Sequence, residues 1–277
     1  MTSAKPEEEV LHGGNTSVVV RVGDTVRRQT GHWTPAVHAL LAHLQSVGFA
    51  DGPTVLGIDG QGREILPFVV GEAGNFDPGP LPDWFRTADA CTAIGDWLRR
   101  CHSAQRGFAP DPALPWRMAA GRPLAAGEVV VHHDAGPYNT VRRPDGGLTV
   151  IDWDFCAPGD PIEDLAFVCW SWAPLWNDRA AVHRWFGDAS VEATATRLGA
   201  VVEGYGAAEA DRARLLPAIQ AKMAAHAAGL EALAAQGDPA AVRLYKAGVS
   251  AAARRDADWA HRNQALLSVA VHGSPAT

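Results

Sequence analysis

The fold of this chain is constrained most by a change of pattern at one short break. Residues 73–83 hold Gly74, Pro78, Gly79, Pro80 and Pro82, a composition that interrupts helix and strand alike. Before the break, β-branched runs alternate with turn residues. After it, apolar residues recur mostly at helical spacing. The pattern predicts an α+β fold of two lobes: a small N-terminal antiparallel β lobe over residues 1–71 and a larger, mainly helical C-terminal lobe over residues 72–277. A chain of 277 residues is long enough to build two lobes around a cleft.

In the small lobe, Ser17 to Val22 reads as a strand, Gly23-Asp24 as a turn and Thr25 to Arg28 as the return strand. Thr34 is a candidate N-cap with Pro35 behind it. Val37, Leu40, Leu41, Leu44 and Val47 keep helical spacing up to Gly48. Thr54 to Asp59 and Glu64 to Val70 read as two more strands. In the large lobe, Cys91, Ile94, Leu98 and Cys101 mark one amphipathic helix. Asp160, Pro161 and Glu163 form a helix-start signal. Ala-rich stretches at 191–205, 212–235 and 239–270 read as helices, broken at Gly206 and at Gly237-Asp238-Pro239.

The formal net charge is −7. That argues against nucleic acid as a partner, because phosphate backbones need clustered Lys and Arg, and the basic runs here are dipeptides. No apolar stretch reaches the length of about 18 residues that a membrane span requires. Cys91, Cys101, Cys156 and Cys169 form no C-x-x-C pair and read as reduced, buried thiols, so a cytoplasmic location is expected.

The chemistry concentrates between residues 129 and 154. An apolar strand, Val129 to Val131, delivers His132, His133 and Asp134. A tight loop with Gly136-Pro137 leads to Asn139, which opens a second strand, and Pro144-Asp145-Gly146-Gly147 turns the chain back to Ile151 and Asp152. The hairpin sets Asn139 beside Asp152. An amide carbonyl next to a carboxylate is a pair of hard oxygen ligands suited to Mg²⁺. Asp134, a loop's width away, is placed to accept the proton of an attacking hydroxyl. A zinc site is the rival for His132-His133, but consecutive strand residues point to opposite faces. The segments around Trp170, Trp172, Trp176 and Trp185 read as core before they read as a substrate platform.

H-x-D-x-x-x-x-N at 132–139, the I-D-x-D strand end at 151–154 and Gly159-Asp-Pro-Ile-Glu-Asp-Leu-Ala166 together resemble the aminoglycoside phosphotransferase family of small-molecule kinases. The resemblance implies a two-lobed protein-kinase-like fold. It implies ATP (or GTP) and Mg²⁺ as cofactors and a small-molecule hydroxyl as acceptor. It makes Asp134 the catalytic aspartate, Asn139 and Asp152 the metal ligands, His132 a support for the loop backbone and Asp154 a second acidic position. Gly13, Gly14, Asn15, Thr16 and Ser17 resemble the family's loop over the nucleotide phosphates. Phe68, Val69 and Val70 match the hinge whose backbone pairs with the base. The lysine that the family uses on the phosphates has no counterpart here. Arg27 takes its place by register, with Arg28 as the alternative. Residues 35–48 lack the glutamate that usually pairs with that cation, and His38 is the nearest polar candidate. These two departures leave a second reading, a nucleotide-binding regulatory or immunity protein with little catalysis.

Overall fold

The computed structural model describes residues 8–11, 18–76 and 79–273. Five strands form an antiparallel sheet: β1 (Glu9–Leu11), β2 (Val19–Val22), β3 (Thr25–Gln29), β4 (Gly57–Ile58) and β5 (Arg63–Pro67), in the order β1-β2-β3-β5-β4. The strand expected over 54–59 is cut to two residues. Helix α1 (Thr34–Ser46) follows β3 in the chain. Its N-cap position is Trp33, one residue earlier than expected, and the Thr34 hydroxyl instead accepts from the Gly31 amide at 2.9 Å. The apolar stripe of α1 (Leu40, Leu41, Leu44) is buried in the same core as the large-lobe helices.

The chain leaves β5 and enters a second sheet at β6 (Glu72–Ala73), which pairs with β8 (Thr140–Arg142), itself paired with β9 (Leu148–Val150). The crossing is made at Gly71, whose φ of 156° and position against the Arg142 carbonyl leave no room for a side chain. A third pair, β7 (Val129–Val131) with β10 (Ala157–Gly159), brackets the segment that holds His132 to Asp154. The rest is helical: α2 (Ala88–Ala104), α3 (Pro161–Trp172), α4 (Arg179–Phe186), α5 (Val191–Tyr205), α6 (Glu209–Ala235), α7 (Pro239–Lys246), α8 (Val249–Arg262) and α9 (Gln264–His272). The Ala-rich stretch 239–270 is therefore three helices, with Gly248 at a φ of 81° making the first break. The signal at 160–163 is a full capping box on α3. All four cysteines are free and buried. No described helix is long and apolar enough to cross a membrane.

Trp97, Trp153, Trp172 and Phe85 are fully buried and fill the centre of the large lobe. The scaffold behind them is the crossing of α2 and α5, which meet backbone to backbone. A Cβ on Gly95 would lie 2.4 Å from the Val201 carbonyl, and one on Gly204 would lie 2.1 Å from that of Thr92. Backbone atoms inside two helices cannot step aside. Gly95→Ala, despite alanine's better helix propensity, should destabilise the protein by about 1–3 kcal/mol. Thermal melts should show the midpoint fall by several degrees.

Candidate active site

β7 hands the chain to the loop His132–Asn139. This loop is bent where an ordinary residue resists bending. His133 sits at φ 66°, a left-handed conformation that costs a residue with a Cβ about 1–2 kcal/mol. Helix α3 holds it there. Asp164, in the first turn of α3, accepts the His132 amide on Oδ2 at 2.8 Å and the His133 amide on Oδ1 at 2.9 Å. His102 Nε2 donates to the same carboxylate at 3.2 Å, and Tyr205 Oη lies 3.0 Å from the other ring nitrogen. Burial alone would raise the Asp164 pKa. The His102 hydrogen bond and the nearby histidines overcome this and hold it well below the usual carboxylate range. At the far end of α3, the Trp172 indole donates to the Ala135 carbonyl at 3.0 Å. One helix thus grips the loop at two points.

His132 lies inward, its ring 4.6 Å from that of Trp153. Its Nδ1 accepts the Asp134 amide at 3.3 Å. Burial lowers its pKa, and the nitrogen that accepts from Asp134 carries no proton. Asp134 emerges at the tip of the loop. The Tyr138 hydroxyl donates to Oδ1 at 2.5 Å and Asn139 Nδ2 donates to Oδ2 at 2.9 Å. Burial, helped by the charge of Asp152, pushes the Asp134 pKa up to about 7 against those hydrogen bonds.

Asn139 closes a 3-10 turn and the strand begins at Thr140, one residue later than expected. The hairpin register pairs Thr140 with Val150, and the Ile151 amide donates to the Asn139 carbonyl at 2.8 Å. Asp152 is the next residue, turned by a left-handed φ of 62°. Asn139 spends its Nδ2 on Asp134, which leaves its Oδ1 as the acceptor. An amide oxygen and a carboxylate one register step apart fit a hard divalent cation.

Asp152 also faces the small lobe. Arg28 Nη1 donates to Asp152 Oδ1 and Nη2 to Asp154 Oδ1, each at 2.7 Å, while Nε bonds Glu64. Burial opposes this charge, but Asp154, Glu64 and Asp152 hold the Arg28 pKa above its ordinary value. Arg27, the position expected by register, makes different contacts from Arg28. Successive strand residues face opposite ways, and Arg27 turns to Thr25 Oγ1 at 2.6 Å and Asp59 at 3.9 Å. The carboxylate missing from α1 is supplied by β5: Glu64, 2% exposed, stands across from Arg28, and His38 of α1 lies 2.9 Å from its other oxygen. Asp154 is raised in pKa by burial and also meets Arg117 at 3.5 Å.

Just after β5, the Phe68 amide is committed to the Asp24 carbonyl at 2.8 Å, and Arg21 covers the Phe68 ring at 3.9 Å. Val69 and Val70 follow, with Val70 61% exposed. Gly13, Gly14, Asn15, Thr16 and Ser17 lie outside the described residues. Three participants had no motif to announce them. Tyr138 sits on Asp134, and Glu64 backs Arg28. Lys222 of α6 donates to His133 Nδ1 at 2.5 Å and lies 3.8 Å from Glu163. Burial lowers the Lys222 pKa, while Asp164, Glu163 and Asp134 sustain its charge. Its signal was rarity: the chain has only Lys5, Lys222 and Lys246.

Known proteins share the fold and part of the sequence. The family model described as "Phosphotransferase enzyme family" matches residues 17–215. The trifolitoxin immunity protein of Rhizobium leguminosarum bv. trifolii is 36% identical over 209 residues, 74% of this chain and 77% of that protein. Among solved structures, a choline/ethanolamine kinase family protein from Mesorhizobium loti superimposes with a TM-score of 0.63 at 17% identity, over 96% of this chain and 92% of that one. An amicoumacin kinase in complex with AMP-PNP and Ca²⁺ gives 0.60 at 11% identity, over 97% and 89%. These two likenesses show a kinase-like fold.

The Asp134 carboxyl makes a prediction about stability. Its pKa rises from an ordinary 3.8 to about 7 in the folded protein. Between those values the folded state keeps a proton that the unfolded chain releases. The group's contribution is therefore fully present below the lower value and lost as pH rises to the upper one. Allowing for partial exposure, the loss should be about 2–3 kcal/mol. Urea melts of the metal-free protein at several pH values should show this decline, and Asp134→Asn should flatten it by that amount.

Proposed function

This chain belongs to the phosphotransferase enzyme family, and on that footing we propose that it moves the γ-phosphate of ATP, or of GTP, onto a hydroxyl of a small molecule with Mg²⁺ as cofactor. One observation carries the reading. A single loop and hairpin bring a carboxylate of raised pKa, Asp134, against Asn139, with Asp152 one register step beyond the residue that Asn139 faces. Asn139 and Asp152 would hold the cation, which neutralises charge on the transferring phosphates when bound. Asp134 accepts the hydrogen bond of the acceptor hydroxyl, turns its oxygen toward the γ-phosphorus and takes its proton. Arg28 is the cation offered to the phosphates from the small lobe. A guanidinium can clamp phosphate with two parallel hydrogen bonds, and Glu64, Asp154 and His38 fix where it stands. Val69 and Val70 at the hinge, and the 13–17 segment, are the proposed contacts to base and phosphates. Residues 1–71 and 72–277 act as the two lobes around the cleft. The acceptor is an aminoglycoside or other antibiotic, an amino alcohol or a sugar.

A second reading rests on its own observation. The 36% identity to a trifolitoxin immunity protein and the Arg28 fork on Asp152 favour a nucleotide-binding immunity protein with little catalysis. An acceptor panel that includes that toxin, read by mass gain of one phosphate, separates the two. A phosphorylated product supports the transferase. Stabilisation by ATP-Mg in a thermal shift with no product from any acceptor supports the second reading.

With an acceptor in hand, Asp134→Ala should lower kcat by about 10²–10⁴ while ATP-Mg still raises the melting temperature. Asp152→Ala should instead abolish the Mg²⁺ dependence of nucleotide affinity in calorimetry. Unchanged kcat in the first variant, or unchanged Mg²⁺ dependence in the second, contradicts the assigned role.

A further inference from the structure

The Tyr138 hydroxyl stands where an acceptor hydroxyl would stand. It donates to Oδ1 of Asp134 at 2.5 Å, the interaction that the phosphoryl-transfer reading gives to the substrate. The pose is built rather than incidental. Gly136 has φ −84° and ψ 169°, a conformation open to any residue, yet a Cβ there would lie 2.6 Å from the Tyr138 ring. The missing side chain makes room for the ring to fold back over the loop. Phe76 supports the ring at 5.8 Å between centroids and is itself packed on Trp176 and Trp185 at 5.7 and 5.2 Å. Tyr138 is nonetheless 36% exposed. The ring is held by the loop and by Phe76 and still keeps about a third of its surface accessible.

We infer that Tyr138 is an acceptor-side guard: its phenol occupies Asp134 until a substrate hydroxyl displaces it. This rests on the phosphotransferase reading above. The reaction it guards against is hydrolysis. Water would attack the γ-phosphorus, the bond from that phosphorus to the β–γ bridging oxygen would break, ADP would leave, and the proton from water would pass to Asp134. With the phenol on Oδ1 and Asn139 on Oδ2, a lone water has to displace the phenol or settle for a remaining lone pair of a carboxylate already hydrogen-bonded on both oxygens. A true acceptor brings binding contacts of its own and can displace the phenol, and water cannot. Tyr138 therefore selects for acceptors that bind the aromatic side of the cleft while presenting an O–H to Asp134.

The test is phosphate release from ATP-Mg by the full chain with no acceptor present. Tyr138→Phe should raise the turnover about tenfold, with KM for ATP-Mg within twofold of wild type. Gly136→Ala keeps the phenol but pushes the ring off the loop, and it should raise turnover in the same way. A variant that merely loosened the fold would weaken KM as well. Equal turnover in wild type and both variants overturns the inference. So does phosphate found covalently on Tyr138 by mass spectrometry, because the phenol would then be an acceptor and not a guard. If turnover is equal while ATP-Mg still stabilises the wild type in a thermal melt, only the guard falls. If that stabilisation is absent too, the phosphotransferase reading falls with it.

Discussion

The buried carboxylate of Asp164 is the interaction on which the rest of the site depends. It is 1% exposed, and both of its oxygens are used on backbone amides of the His132–Asn139 loop. An isolated buried charge would be expensive. Here it is met by two amides and by His102, and in return it fixes a left-handed turn at His133 that the backbone would otherwise avoid. The capping box places Asp164 in the first turn of α3, so the loop is referenced to the most deeply buried helix in the molecule. Trp172, at the other end of that helix, pins Ala135. Asp134 is positioned because the residues on both sides of it are held.

Across the cleft the polar groups are arranged in series. His38 faces Glu64, Glu64 faces Arg28, and Arg28 faces Asp152 and Asp154. Each buried charge has an opposite neighbour, which is what keeps such a chain tolerable in a poorly solvated place. The consequence is a link between lobes. Arg28 and Glu64 ride on β3 and β5 of the five-stranded sheet, while Asp152 and Asp154 ride at the far end of the β8–β9 hairpin. Any shift of the small sheet relative to the hairpin changes what Arg28 can reach.

How much of this was legible in the sequence follows from distance along the chain. The hairpin from 139 to 152, the capping box at 160 and the glycine breaks at 206 and 237 are local devices, and their signals lie within a few residues of each other. The side of β3 that faces the cleft was not local. Val20 and Ile65 flank Arg27, and Arg28 stands opposite Glu64 with the Val26–Leu66 pair two residues along on the same face. Both faces of the sheet are thus apolar, and alternation could not say which arginine turns inward. A slip of one residue reverses the face. Glu64 was hidden for a related reason: its partner is 36 residues away, and nothing in the β5 run distinguishes a buried acid from a solvated one. Lys222 sits in an Ala-rich helix whose neighbours carry no motif, and Tyr138 occupies a variable place inside one.

The central claim is that Asn139 and Asp152 share one divalent ion beside Asp134. Crystals grown with Mn²⁺ and a non-hydrolysable ATP analogue, read by anomalous scattering from manganese, test it directly. The account predicts a peak at about 2.0–2.3 Å from an oxygen of each residue, with Asp134 on the acceptor side of the γ-phosphate. A peak bound elsewhere, or a nucleotide held with no metal at these two oxygens, would contradict it.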